Sequence, residues 1–120
     1  MCFKRKIQVA AFERQALLES FDGDDDFVAE LMTEFVTSAL EYPHAFKSSA
    51  DDYPKLSTLA HTLKGTAANV MCSPLSKVSG ELELYTKNTD GISKQKVARQ
   101  IRLVLFEIDR AVSEVKSIYG

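Results

Sequence analysis

The sequence predicts an all-α protein, an antiparallel four-helix bundle with an additional short N-terminal helix. Three observations carry that prediction. Only 5 Gly and 3 Pro punctuate the 120 residues, and strand-like alternating runs are scarce. Four long stretches repeat apolar residues at the spacing of a buried helical stripe. Short turn signals separate them, which makes successive helices antiparallel neighbours. The length suits one domain with one core. Residues 9–120 are assigned to that domain and residues 1–8 to an extended or frayed leader.

The elements follow in order. Val9 to Ser20 reads as a short helix with Val9, Phe12, Ala16 and Leu17 inward, covering one end of the bundle. Phe21-Asp22-Gly23 makes a turn. Asp24, Asp25 and Asp26 open the next helix, where acidic residues cap the chain and complement the helix dipole. They lack the spaced acceptors and closing Glu of a calcium loop, so capping is preferred to metal binding. This helix carries Phe27/Val28, Leu31, Phe35, Ala39 and Tyr42 inward. Pro43 removes a backbone donor and forces a kink or restart. Phe46 and Ala50 continue the apolar side to about Ser49. His44, beside the proline, reads as an ordinary surface or boundary histidine.

Asp51-Asp52-Tyr53 is a connection, and Pro54 suits the first turn of a helix that runs to about Val70. Its apolar face is Leu56, Leu59, Leu63, Thr66/Ala67 and Val70. Ser73-Pro74 reads as a cap and first-turn proline. Leu75, Val78, Leu82 and Tyr85 then form an inner stripe, with Ser76, Ser79 and Gly80 allowing a close neighbour. Asn88-Thr89-Asp90-Gly91 is a turn. The last helix, about Ser93 to Tyr119, has the cleanest period: Val97, Ile101, Val104, Ile108, Ala111, Val115 and Ile118, the seam of a bundle helix. Phe106 falls off that seam, either against the N-terminal helix or exposed.

Composition excludes several classes. Fifteen Lys and Arg against 17 Asp and Glu give a net charge of −2, with no electrostatic footprint for nucleic acid. No apolar run approaches membrane-spanning length. Lys4-Arg5-Lys6 is followed by no signal-peptide apolar region and reads as a solvated triplet. Cys2 and Cys72 are too few for a disulfide framework and suggest no metal site. The expectation is a cytoplasmic monomer, because one bundle closes its own core. Met1 and the lack of a long linker favour a free-standing protein.

Chemistry concentrates in Ala60-His61-Thr62-Leu63-Lys64-Gly65-Thr66-Ala67-Ala68-Asn69. His61 follows Leu59 by about 200° of helical rotation, at about 100° per residue, and so points away from the core. Ser57, Thr58, Lys64 and Gly65 are its neighbours on adjacent turns. A free imidazole is largely neutral at pH 7 and can act as a nucleophile without an adjacent base. Lys64 is a point charge suited to phosphoryl oxygens. Gly65 costs about 1 kcal/mol relative to Ala inside a helix, a cost that makes sense if something approaches closely there. Ala67 and Ala68 keep the following turn low.

The run resembles the signature of histidine phosphotransfer (HPt) domains of two-component phosphorelays. His61, Lys64, Gly65, Ala67, Ala68 and Asn69 carry the likeness. Phe21-Asp22-Gly23-Asp24, Leu75-Ser76-x-Val78 and Leu82-Glu83 extend it over roughly residues 9–88 at motif level, while the last helix follows only in hydrophobic pattern. One departure is Met71-Cys72, where the family usually has a small pair. The resemblance implies that His61 accepts a phosphoryl group from a receiver-domain aspartyl phosphate and passes it to another receiver. Attack comes through the ring nitrogen farther from the backbone. Lys64 steadies the phosphoryl group, Gly65 and Ala68 leave room for the receiver, and Thr62 and Ser57 are candidate supports for the imidazole. Asn69 is expected to hydrogen-bond near the helix end. Receiver domains or a hybrid sensor kinase are the implied partners. The chain itself is expected to need no cofactor, Mg²⁺ belonging to the receiver. No nucleotide-binding loop or second catalytic group is legible, so ATP binding and autokinase activity are not expected. The alternatives are an unphosphorylated interaction module, a domain phosphorylated directly by its kinase, and a structural bundle with an accidental motif.

Overall fold

The computed structural model describes residues 10–88 and 90–120. The leader, Val9 and Cys2 lie outside them. Six helices occur among the described residues: α1 (Arg14–Ser20), α2 (Asp25–Ala39), α3 (Tyr42–Ser48), α4 (Tyr53–Asn69), α5 (Ser73–Lys87) and α6 (Lys94–Tyr119). The long helices α2, α4, α5 and α6 form an antiparallel all-α bundle, with α1 as the additional short helix.

The core has one source per helix. Leu17 comes from α1, Val28, Met32, Phe35 and Ala39 from α2, and Phe46 from α3. Leu56, Ala60, Leu63 and Ala67 come from α4, and Leu75 and Leu82 from α5. The α6 seam supplies Val97, Ile101, Val104, Ile108, Ala111, Val112 and Val115.

Several local expectations need correction. α1 begins at Arg14, not near residue 9, and the buried Ala11 and Phe12 precede it as irregular chain. The Ala11 amide donates to Glu114 Oε2 at 2.8 Å, which ties this segment to α6. On α2, Met32 is buried while Leu31 is half-buried and Phe27 is exposed against Phe21. Ser49, not Ala50, is the buried residue after α3. On α4, Ala60 lies in the core and Leu59 at its edge. Ile118, at the end of the α6 seam, is exposed. Phe106 is exposed too.

Caps define the ends. Asp24 accepts from the Phe27 amide at 3.0 Å, and Asp52 from the Lys55 amide at 3.1 Å. Ser93 Oγ does the same for Lys96 at 3.2 Å. Such bonds satisfy first-turn donors that have no partner within the helix. α2 stops at Ala39, and α3 restarts with Pro43 in its first turn, where the missing amide costs nothing. Cys72, not Ser73, is the N-cap of α5, and the Ser73 hydroxyl donates to Glu13 at 3.0 Å.

The α4–α5 turn sets the site's register. Met71 takes φ +61°, a left-handed conformation that glycine adopts without a Cβ penalty. The Cys72 amide returns to the Ala67 carbonyl at 2.8 Å, and the Glu13 amide donates to the Met71 carbonyl at 3.0 Å. Cys72 is fully buried, and burial pushes its thiol up to about 12. The departure at Met71-Cys72 thus leaves a tight, core-anchored turn.

Candidate functional site

His61 stands at the middle of α4, with its side chain 67% exposed. Gly65 and Ala68 continue the same outward stripe, flanked by Thr62 and Asn69, all exposed. A Cβ on Gly65 would meet nothing within 4 Å. No neighbour inside the protein requires a glycine there, so the open surface itself is what the glycine provides.

α5 supplies what the sequence reading missed. A hairpin folded about Cys72 sets residues equally far from it opposite each other. Glu83 therefore faces His61, and Gly80 faces Lys64. Glu83 Oε2 lies 2.9 Å from His61 Nδ1. Its Oε1 lies 2.9 Å from Lys64 Nζ, and Oε2 also lies 3.3 Å from Lys87 Nζ. Gly80 makes room for the Lys64 stem: a Cβ there would stand 3.1 Å from Lys64 Cδ. The Ser76 hydroxyl donates to the Lys64 carbonyl at 3.1 Å, pinning the two helices at the same level.

The Glu83 side chain is only 6% exposed. A carboxylate so placed must be paired to remain charged. The Lys64 hydrogen bond, opposed by burial and aided by His61 and Lys87, pulls its carboxyl down to about 2. An ionised carboxylate only accepts, so Nδ1 of a neutral His61 must carry the proton. The lone pair is then on Nε2, at the ring edge away from Glu83. The expectation of an imidazole beside Lys64 with no adjacent base is corrected here: a charged acceptor, Glu83, orients the ring and fixes its tautomer.

The two hydroxyls considered as ring supports are spent elsewhere. Ser57 is buried, and its Oγ donates to the Glu83 carbonyl at 3.4 Å. Thr62 Oγ1 donates to the Thr58 carbonyl at 3.1 Å. Asn69 is the last residue of α4, and the turn amides of Met71 and Cys72 satisfy the neighbouring carbonyls of Ala68 and Ala67. His44 is exposed on α3. Among the described residues, no group of three or more His, Cys, Asp or Glu could hold a metal ion. No helix among them is long and apolar enough to cross a membrane.

A family model for the Hpt domain matches residues 15–117. The chain belongs to the Hpt domain family. The match takes in all six helices except the start of α1 and the end of α6. Over 107 residues the Hpt domain is 24% identical to the phosphorelay intermediate protein rdeA of Dictyostelium discoideum. That alignment covers 88% of this chain and 42% of the relative, so the Hpt domain spans less than half the length of that protein.

Proposed function

We propose that this chain is a histidine phosphocarrier of a two-component phosphorelay, with His61 as the phosphoacceptor. The observation that carries the reading is the 2.9 Å contact between Glu83 and His61 Nδ1. It turns an exposed imidazole into an oriented nucleophile with its lone pair on Nε2.

The donor is an aspartyl phosphate on a receiver domain. Nε2 attacks phosphorus, the N–P bond forms, and the P–O bond to the aspartate breaks. The aspartate leaves as a carboxylate. The Nδ1 proton stays on the ring, which becomes cationic, and the Glu83 carboxylate balances that charge. Transfer onward reverses these bonds with a second receiver. Positioning and charge stabilisation dominate such transfers. Lys64 supplies an ammonium beside the ring, and Gly65 and Ala68 give the receiver a low surface to approach over. Mg²⁺ is assigned to the receiver, and this chain needs no cofactor of its own. The reading further includes receiver or hybrid-kinase partners, a cytoplasmic site of action, a monomer, and no autokinase activity.

The test is label transfer from a panel of phosphorylated receiver domains. Acid-labile, alkali-stable label is expected on the wild-type chain. His61→Gln is expected to abolish it while helical content and melting stay unchanged, because the ring is exposed. Binding to a receiver without label would leave an interaction module instead.

A further inference from the structure

Lys87 is unexplained by the mechanism so far. It sits in the last turn of α5, one helical turn beyond Glu83, and its side chain is 64% exposed. Its ammonium shares Glu83 Oε2 with His61 Nδ1. The two lysines reach the carboxylate from opposite directions. Lys64 lies one turn past His61 on α4. Lys87, by the hairpin register, lies level with Ser57, one turn before it.

Between Lys87 and the ring is a depression of about 270 Å³, lined by Ser57, Thr58, His61, Glu83 and Lys87. Two of its walls have no donor left to offer. The Ser57 hydroxyl donates to the Glu83 carbonyl at 3.4 Å. The Thr58 hydroxyl donates to the Pro54 carbonyl at 3.2 Å. Lys87 has three ammonium protons and a flexible four-carbon stem.

Resting on the His61 reading above, we infer that Lys87 is a second phosphoryl-binding residue, exchanged from Glu83 to the phosphoryl group when His61 is phosphorylated. Charge drives the exchange. At rest, one carboxylate faces two ammonium groups. After transfer, a phosphoryl dianion on Nε2 competes for them, and the cationic ring holds Glu83 through Nδ1. Both lysines are then free to pair with phosphoryl oxygens from either side, and carboxylate, two ammonium groups, ring and phosphoryl sum to zero.

The experiment phosphorylates the full chain with phosphoramidate and follows the phosphohistidine ³¹P resonance against pH. An ammonium at the phosphoryl oxygens favours the dianion and lowers its titration midpoint. In Lys87→Gln the midpoint is expected to rise by roughly half a pH unit. Lys87→Arg is expected to restore it. Lys77→Gln removes an exposed charge elsewhere on α5 and is expected to leave it in place. An unchanged midpoint in Lys87→Gln, or equal shifts in the Lys87 and Lys77 variants, overturns the inference but leaves the His61 reading standing. A phosphohistidine resonance that persists in His61→Gln overturns both.

Discussion

At the scale of single residues, the decisive group is a nearly buried carboxylate under an exposed imidazole. Glu83 is held well below the ordinary carboxylate range, at about 2, first by Lys64. Its unfolded value is about 4.3. A folded value below the unfolded one stabilises the fold above both, and that contribution is lost as pH falls from about 4.3 through about 2. Urea midpoints of wild type and Glu83→Gln are therefore expected to differ most near neutrality and to converge between pH 4 and 2. A constant gap across that range would show that the carboxylate's charge contributes nothing. Gly65 has the opposite character, since nothing inside the protein needs it. Gly65→Gln is expected to keep or slightly raise stability, by up to about 1 kcal/mol from helix propensity, while slowing transfer from a receiver. Unchanged transfer rates in that variant would remove the close-approach argument.

At the scale of elements, the apolar spacing made the helices legible, and the pairing of α4 with α5 hid the site. The inner stripe of α5 was readable as Leu75, Val78, Leu82 and Tyr85. Ser76, Gly80, Glu83 and Lys87 form the adjoining stripe, and it looks like solvated surface until the hairpin register is laid on it. The turn residues Val70 to Cys72 held that information. A short turn fixes which residues stand opposite, and His61 with Glu83 follows by counting outward from Cys72. The start of α1 was harder to place. Ala11 and Phe12 are buried in irregular chain held by Glu114, a contact from the far end of the sequence. Periodicity carries no trace of such a tie. α3 shows how Pro43 acts: it restarts a helix whose anchor is the fully buried Phe46. Phe46→Ala is expected to cost about 3–5 kcal/mol, read as a lowered urea midpoint. A loss under 1 kcal/mol would mean that α3 docks by other contacts.

At the scale of the whole molecule, the bundle is a rigid frame that aims one ring outward. Core residues of α4 face inward at Leu56, Ala60, Leu63 and Ala67, and this fixes His61, Gly65 and Ala68 on the opposite side. α5 closes against that helix with a carboxylate level with the ring. The proposed chemistry thus rests on one atom, Nε2 of His61. The most direct test is ¹⁵N NMR of ring-labelled chain after transfer from a phosphorylated receiver, to find which nitrogen bears the phosphoryl group. The account predicts phosphoryl on Nε2, with the proton retained on Nδ1 beside Glu83. Phosphoryl on Nδ1, or a ring left unmodified by receivers that bind the chain, would contradict it.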